Sequence, residues 1–182
     1  MSAILVLGGA RSGKSQFAVR LAEHKAQAMK LPVTFVATAQ PFDEEMSDRI
    51  GRHQSERPSE WTTVEEPSAV ALWLEQPRAP EIVVIDCLTL LLNNWMFLDR
   101  YQESDYLRET RRLTEALQRF PGLAIVVSNE IGLGLVPGDP LSRRYRDWLG
   151  ILNQSVAAIA DPVYMLFAGI PVDLKRMGVH WQ

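Results

Sequence analysis

The sequence has a single cysteine, Cys87, among its 182 residues. No disulfide can form within the chain, so we expect the reducing environment of the cytoplasm. Long apolar runs are also missing, because no stretch approaches the roughly 20 residues that a membrane-spanning helix needs. The N-terminal segment carries no basic residue ahead of its short apolar run, which argues against a signal peptide. These absences favour a soluble protein without membrane insertion.

An excess of positive charge is absent as well. The chain has 19 Lys and Arg against 22 Asp and Glu, a formal net charge of −3. Proteins that grip nucleic acid usually carry a basic excess, so we do not expect nucleic acid as a partner. The composition, 47% hydrophobic and 23% charged, is that of an ordinary globular protein. A chain of this length suits one domain over residues 1–182.

Strand and helix patterns alternate along the chain. Short apolar runs typical of buried strands lie at Ile4 to Leu7, Val33 to Thr38, Glu81 to Asp86, Leu123 to Val127 and Val163 to Phe167. The segments between them predict helices over Lys14 to Lys30, Asp43 to Arg57, Ser68 to Glu75, Tyr106 to Phe120 and Leu141 to Ala160. Such alternation predicts an α/β fold with a mostly parallel sheet covered by helices on both faces.

A phosphate-binding motif follows the first predicted strand. Residues 8–15 match the pattern G-x-x-x-x-G-K-[ST] and read Gly8, Gly9, Ala10, Arg11, Ser12, Gly13, Lys14, Ser15. Glycines let successive N–H groups point inward at an anion, and the helix that follows adds its positive dipole end. Lys14 can then reach the β- and γ-phosphates, and the Ser15 hydroxyl can bind Mg²⁺. The structural alternative is a glycine-rich turn that only connects strand to helix.

Asp86 ends the predicted strand from Glu81. In a parallel sheet the carboxyl ends of the strands meet at one edge, so this carboxylate is expected beside the phosphate motif. It is our candidate for the acidic residue that binds Mg²⁺ in nucleoside triphosphate sites. The alternative role is an N-cap for the helix that follows, which aspartate also performs well.

Three basic residues recur at a spacing of four on the predicted second helix. Arg49, His53 and Arg57 therefore share one helix face. Two cations beside the imidazole would keep it unprotonated, and the same face would present it to phosphate oxygens. A histidine nucleophile that attacks phosphorus requires both. A basic stripe facing solvent is the alternative.

Asn129 and Glu130 follow the predicted strand that ends at Val127. They are expected at the same edge of the sheet, where polar side chains meet ligands, so a role towards substrate or Mg²⁺ is one hypothesis. A loop whose polar groups are satisfied by the backbone is the alternative.

Taken in order, these motifs resemble the family of bifunctional adenosylcobinamide kinases and adenosylcobinamide-phosphate guanylyltransferases. The resemblance spans nearly the whole chain and rests on residues 8–15, 37–39, 86–89 and 129–132, together with Arg49, Ile50, His53, Arg57, Pro58 and Trp61. It implies a P-loop NTPase-like domain and two reactions of cobalamin assembly. Adenosylcobinamide is phosphorylated with ATP or GTP, and GMP from GTP is then transferred to that phosphate through a guanylylated histidine.

The resemblance also assigns residues. His53 matches the family's nucleophile. It joins Lys14, the catalytic residue that the phosphate motif predicts, and the Mg²⁺ ligands Ser15 and Asp86 that the motif and the strand end predict. The guanine nucleotide is expected to contact residues 8–15 together with Ala37, Thr38, Ala39, Gln54, Ser55, Glu56, Arg57, Glu65 and Asp86. Members are similar in being cytoplasmic homo-oligomers, typically trimers, and their partner is a small corrinoid molecule.

Some points depart from the pattern or stay open. Arg52 stands where some relatives carry a second histidine, and the sequence Ser128-Asn129-Glu130 is not the N-K-x-D signature of regulatory GTPases. Guanine specificity is therefore implied by the resemblance and not by the residues. Trp95, with Met96 and Phe97, fits either a corrinoid or subunit contact or a place in the core. A plain small-molecule kinase, in which His53 is incidental, and a nucleotide-switched binding protein are the alternative functions.

Overall fold

The computed structural model describes residues 3–42, 44, 51 and 57–179. These residues form one sheet of seven strands with helices packed on it. The strands are β1 (Ala3–Gly8), β2 (Val33–Ala37), β3 (Thr62–Glu65), β4 (Ile82–Asp86), β5 (Leu123–Asn129), β6 (Ala160–Phe167) and β7 (Ile170–Asp173). Their order is β3-β2-β4-β5-β1-β6-β7, and all neighbouring pairs are parallel except β6 with β7. The prediction of a mostly parallel α/β sheet is confirmed.

Helices cover both faces of this sheet. The described helices are α1 (Lys14–Met29), α2 (Val70–Glu75), α3 (Leu88–Phe97), α4 (Glu103–Arg119), α5 (Pro140–Ile159) and α6 (Leu174–Met177). On one face α1 contributes Ala18 and Ala22 to a core beneath it. On the other face α2, α3, α4 and α5 bury a larger core. Burial on both faces explains why the central strands are continuous apolar runs.

Local sequence sets the start of the longest helix, α5. The side chain of Asp139 accepts a hydrogen bond from the N–H of Ser142 at 2.8 Å, and Pro140 occupies the first helical turn. Aspartate at the N-cap and proline just inside it are both favoured, because the first N–H groups lack partners within the helix. The observed bounds agree with the predicted Leu141 to Ala160 to within one residue.

Two strands were not predicted. Strand β3 is almost wholly solvent-exposed, and β7 has four residues, among them Pro171, paired antiparallel to β6. Both lie at the edges of the sheet, so neither needs the buried apolar run by which central strands are recognised. The strongly apolar segment Leu88–Phe97 forms helix α3. The helix predicted over Asp43 to Arg57 lies almost entirely outside the described residues.

Strand alternation brings the ends of three central strands to one face. Val84 and Val127 belong to the core beneath α1. Because side chains alternate with a period of two, Asp86 and Asn129 project to this same face. Gly8 ends β1 and pairs with Asn129 in register. The sheet thus presents these three residues at one edge, on the side of the helix that follows the glycine-rich loop.

Candidate functional site

The loop between β1 and α1 has the backbone of an anion-binding turn. The N–H of Ser12 donates to the carbonyl of Gly9 at 3.3 Å, and Lys14 Nζ donates to the same carbonyl at 3.1 Å. Arg11 and Gly13 are left-handed, with φ of 55° and 86°. Helix α1 then begins without a capping side chain. Its first N–H groups are therefore available to a phosphate, as the motif predicts.

A contact that the motif does not encode supports this loop. The N–H of Gly169, in the turn between β6 and β7, donates to the carbonyl of Ser12 at 3.0 Å. The loop also passes close to Gly8, where a Cβ would lie less than 3.0 Å from Ser12 Oγ and 3.3 Å from the carbonyl oxygen of Leu166, so a larger residue would require a shift. The loop is therefore fixed both by its own turn and by the hairpin at the edge of the sheet.

Asp86 stands at the carboxyl end of β4, where its carboxylate interacts electrostatically with Arg57. The N-cap of α3 is Cys87, without a side-chain capping bond, and Asp86 accepts no side-chain hydrogen bond from any described residue. The alternative role as a helix cap is therefore not supported. A carboxylate beside a phosphate loop is suited to binding a divalent cation.

Thr38 fixes the backbone next to Asp86. Its side chain is fully buried, and its hydroxyl donates to the carbonyl of Cys87 and accepts from the N–H of Cys87, at 2.8 Å each. The amide of Asn94 in turn donates to the carbonyls of Thr38 and Pro67, at 2.8 Å each. The hydroxyl of Thr38 is thus occupied in holding the strand end that carries the carboxylate. No local sequence pattern marks this role, because Thr38 and Cys87 lie 49 positions apart in the chain.

Strand register places two further predicted residues in line with Asp86. Ala37, the last residue of β2, pairs with Asp86 on one side and with Glu65 on the other. The side chain of Glu65 is exposed. These residues form a row at the carboxyl edge of the sheet, and Ala39 follows two positions after Ala37.

A cavity of about 730 Å³ opens beside this row. It is lined by Ser15, Gln16, Val19, Arg20, Glu23, Phe35, Arg57, Pro58 and Asp86. Three predicted residues from distant parts of the chain, Ser15, Arg57 and Asp86, therefore meet in one space. Its volume lies in the range of pockets that hold small-molecule ligands.

The guanidinium of Arg57 lies over the ring of Phe35, 3.4 Å from its centroid. Burial lowers the pKa of Arg57, and the charge of Asp86 opposes that shift. Its Nη1 atom is buried and has no hydrogen-bond partner among the described residues. This side chain therefore offers donors to an anion in the cavity.

The end of β5 lies next to the glycine-rich loop. The N–H of Glu130 donates to the carbonyl of Gly8 at 3.2 Å, while Glu130 Oε1 accepts from the N–H of Gly132 at 2.8 Å. The carboxylate thus caps its own loop, as the structural alternative supposed. Asn129 differs, because its Oδ1 atom is buried without a partner among the described residues.

Other predicted residues are placed elsewhere or not described. Trp95 is buried, and its indole N–H donates to the carbonyl of Ser68 at 2.9 Å, so it is a core residue. Phe97 is 49% exposed. His53 lies outside the described residues, as do Gln54, Ser55 and Glu56 and the predicted face partner Arg49. Among the described residues, no helix combines the length and apolarity needed to cross a bilayer.

The glycine-rich loop, its helix and an aspartate on a parallel strand define a P-loop nucleotide-binding domain. A solved structure of an ATPase domain has this fold, with a TM-score of 0.54 at 14% identity over 91% of this chain and 69% of that one. The model of the family "Cobinamide kinase / cobinamide phosphate guanyltransferase" matches residues 4–174. The chain belongs to this family, so the predictions of family and of enzyme class are confirmed.

Curated relatives agree with this assignment. The chain is 47% identical over 172 residues to the bifunctional adenosylcobalamin biosynthesis protein CobP of Pseudomonas aeruginosa, covering 94% of this chain and 96% of that protein. It is 38% identical to the bifunctional adenosylcobalamin biosynthesis protein CobU of Escherichia coli, and 35% identical to that of Salmonella typhimurium. Each comparison with the two CobU proteins covers 94% of this chain and 99% of the relative.

Proposed function

We propose that this chain phosphorylates adenosylcobinamide with ATP or GTP, and then transfers GMP from GTP to the product, releasing pyrophosphate. The observation that carries the proposal is the meeting of Ser15, Asp86 and Arg57 in one cavity of a chain that belongs to this family. A single domain over residues 1–182 would perform both reactions.

In the kinase step the acceptor hydroxyl oxygen attacks the γ-phosphorus. The bond from that phosphorus to the β,γ-bridging oxygen breaks, the nucleoside diphosphate leaves, and the hydroxyl proton passes to water. Backbone N–H groups of the loop and the ammonium of Lys14 would stabilise the phosphate oxygens. Such catalysis depends mainly on position and charge, which a preorganised loop supplies.

In the transfer step an unprotonated imidazole nitrogen of His53 attacks the α-phosphorus of GTP. The bond to the α,β-bridging oxygen breaks and pyrophosphate leaves. A phosphate oxygen of the phosphorylated acceptor then attacks the same phosphorus, and the P–N bond breaks to free the histidine. Covalent catalysis divides one difficult displacement between anions into two. Arg57, which lies in a bend and lines the cavity with Ser15 and Asp86, would offset charge on the phosphoryl oxygens.

The residues present suit Mg²⁺. Ser15 and Asp86 line the same cavity, and both offer the oxygen donors that this cation prefers. Among the described residues, no group of three or more histidine, cysteine or acidic side chains is placed to hold a metal ion. This fits a cation that takes its remaining ligands from phosphates and water. Bound there, it would neutralise charge on the phosphate oxygens.

The nucleotide contacts that the resemblance assigns belong to the proposal as well. Ala37, Ala39 and Glu65 lie in or next to the row at the sheet edge, which supports their contact with the nucleotide. A small corrinoid as the partner molecule, a homo-oligomer of trimeric form and a cytoplasmic location rest on the family resemblance.

Incubation with α-labelled GTP and Mg²⁺ tests the proposal. The wild-type protein should acquire one GMP, detected by mass spectrometry, through a phosphoramidate that is labile to acid and stable to alkali. The His53→Ala protein should acquire none and should make no GDP-linked product. It should still phosphorylate adenosylcobinamide, because that step needs no histidine.

His24 provides a matched control, since it is an exposed histidine on α1. The His24→Ala protein should label like the wild type. Label that persists in His53→Ala protein contradicts the nucleophile assignment. Transfer of γ-label to the acceptor without any protein-bound GMP would instead favour the plain kinase.

A further inference from the structure

Asn129 occupies the position between the two phosphate-site elements. It is the last residue of β5, and β5 lies between β1, which leads into the glycine-rich loop, and β4, which ends at Asp86. Asn129 pairs with Gly8, whereas Asp86 pairs with Val127. Asn129 therefore extends two residues further than Asp86 along the sheet, roughly 6 to 7 Å at the usual rise of a strand. Its side chain projects to the face that carries α1.

The backbone of Asn129 is held on both sides. Its N–H donates to Thr89 Oγ1 at 3.0 Å, and its carbonyl accepts from the amide of Asn153 at 2.9 Å. The hydroxyl of Tyr145 donates to the carbonyl of Thr89 at 2.9 Å, which ties the N-terminus of α3 to α5. The strand end is therefore fixed before any ligand binds.

The side chain of Asn129 differs from its backbone in its hydrogen bonding. Its Oδ1 atom is buried and has no hydrogen-bond partner among the described residues. An unpaired buried amide oxygen costs free energy, and such groups are rare in folded proteins unless a ligand or a functional role accounts for them. An amide oxygen that has no partner among the described residues, on a backbone that is held in place, is suited to a ligand that is present only during the reaction.

We propose that the carboxamide of Asn129 contacts the transferred γ-phosphoryl group and the attacking acceptor hydroxyl; this inference rests on the proposed function. Its Nδ2 donates to a phosphoryl oxygen, and its Oδ1 accepts from the hydroxyl as the hydroxyl oxygen bonds to phosphorus. The bond to the β,γ-bridging oxygen breaks, the nucleoside diphosphate leaves, and the hydroxyl proton passes to water. Asn129 itself gains and loses no proton.

Ser128 offers a matched control for this contact. It is fully buried, its Oγ atom also has no partner among the described residues, and it projects to the opposite face of the same strand. Asn129→Ala and Ser128→Ala therefore both remove one buried unpaired oxygen. Neither should lower the midpoint of thermal unfolding, because neither oxygen has a hydrogen-bond partner among the described residues.

The experiment measures phosphorylation of adenosylcobinamide with γ-labelled ATP. Asn129→Ala should lower kcat by about 10² to 10³, the loss typical when one preorganised donor is removed from a transition state. The Kd of ATP should stay within a few-fold, and Ser128→Ala should turn over at the wild-type rate. A purely structural role predicts the reverse, a lower unfolding midpoint with kcat following the folded fraction.

Wild-type kcat in folded Asn129→Ala protein, or an equal loss in Ser128→Ala protein, would overturn the assignment. If Asn129→Ala does not fold, Asn129→Asp keeps the shape but replaces the donor with a carboxylate, and should lose at least as much kcat. Hydrolysis of γ-labelled ATP without acceptor gives a second readout. The wild-type protein could hydrolyse ATP without phosphorylating adenosylcobinamide. A lower rate of hydrolysis in Asn129→Ala protein would then contradict the proposed function but support the contact between Asn129 and the phosphoryl group.

Discussion

The hydroxyl of Thr38 accepts from the N–H of Cys87 and donates to the carbonyl of the same residue, at 2.8 Å in both cases. The N–H of Thr38 also donates to the carbonyl of Asp86 at 3.1 Å. Thr38, directly after the end of β2, thus holds the backbone of the segment that carries the candidate Mg²⁺ ligand at the end of β4. The backbone that carries this carboxylate is therefore held by the neighbouring strand as well as by its own.

Replacing this hydroxyl should therefore affect both stability and the metal. Thr38→Val leaves buried groups of Cys87 unpaired, and we expect a loss of about 1 to 3 kcal/mol in the free energy of unfolding. Half-maximal activity should also need more Mg²⁺. Thr38→Ser keeps the hydroxyl and should retain most of both properties. Denaturant unfolding and Mg²⁺ titration check this, and equal values for the two variants would contradict it.

Asp86→Asn tests the carboxylate directly. An amide supplies no charge to the cation, so the Mg²⁺ concentration for half-maximal activity should rise by at least about tenfold, the loss typical even of outer-sphere partners. Both reactions should respond if Asp86 holds the cation for each of them, so the titration is made for the kinase and the transfer reaction separately. Asp99→Asn makes the same charge change at an exposed position and serves as the control. An unchanged titration in Asp86→Asn protein would remove this residue from the metal site.

Lys14→Ala should lower both activities by about 10² to 10³ without unfolding the chain. The reason is that one preorganised positive charge is removed from the phosphate site. Steady-state kinetics measure the loss, and circular dichroism checks the fold. Lys25→Ala removes a lysine from the same helix, α1, as a control. Normal turnover in Lys14→Ala protein would exclude the glycine-rich loop from the reaction.

Cys87 should be unreactive in the folded protein. It is buried, and burial, together with the charge of Asp86, raises the pKa of its thiol to about 11. The thiolate is therefore scarce at pH 8, at a level on the order of one in a thousand. Iodoacetamide should modify the native protein far more slowly than the denatured one. Equal rates in the two states would contradict the burial of this side chain.

The raised pKa of the Cys87 thiol also makes stability depend on pH, because the folded state favours the neutral thiol. The contribution of Cys87 to the free energy of unfolding is fully present below pH 9.0, which is the pKa of the thiol in the unfolded chain. It declines as the pH rises through about 11, because the unfolded chain ionises first. Alkaline unfolding curves of wild-type and Cys87→Ala proteins should therefore converge in this range.

The sequence predicts the central architecture because its signals are local. The run Ile82 to Ile85 is buried on both faces, and the phosphate motif has its fixed spacing within eight consecutive residues. Strands β3 and β7 are stabilised by pairing at the edges of a sheet that already exists. Their own residues are largely exposed and carry no comparable periodicity.

Within the site, too, some residues are marked by local sequence and others are not. Asp86 is predictable because it ends an apolar strand, and its position relative to the loop follows from parallel pairing. The roles of Thr38 and Asn153 depend on hydrogen bonds to residues 49 and 24 positions away. No local spacing marks such contacts, so only the folded structure shows which polar side chains hold the strand ends.

Arg57 leads to the last prediction, which concerns the transfer of GMP. Its guanidinium lines the cavity with Ser15 and Asp86, and its Nη1 atom is buried without a partner among the described residues. Arg57→Gln should slow formation of the GMP adduct from α-labelled GTP by about 10² or more, because charge on the phosphoryl oxygens is no longer offset. Arg57→Lys should rescue this only in part, since an ammonium cannot form two parallel hydrogen bonds to a phosphate.

Arg78 supplies the control, because its guanidinium also lies over an aromatic ring, 3.6 Å from the centroid of Trp73, but does not line the cavity. Arg78→Gln should therefore lose the ring contact and some stability while forming the adduct at the wild-type rate below the unfolding transition. Comparing the two variants separates loss of a cation over a ring from loss of a charge at the reacting phosphorus. If both variants slow labelling to the same extent, Arg57 acts through the fold. If neither does, the α-phosphoryl group is stabilised by other residues.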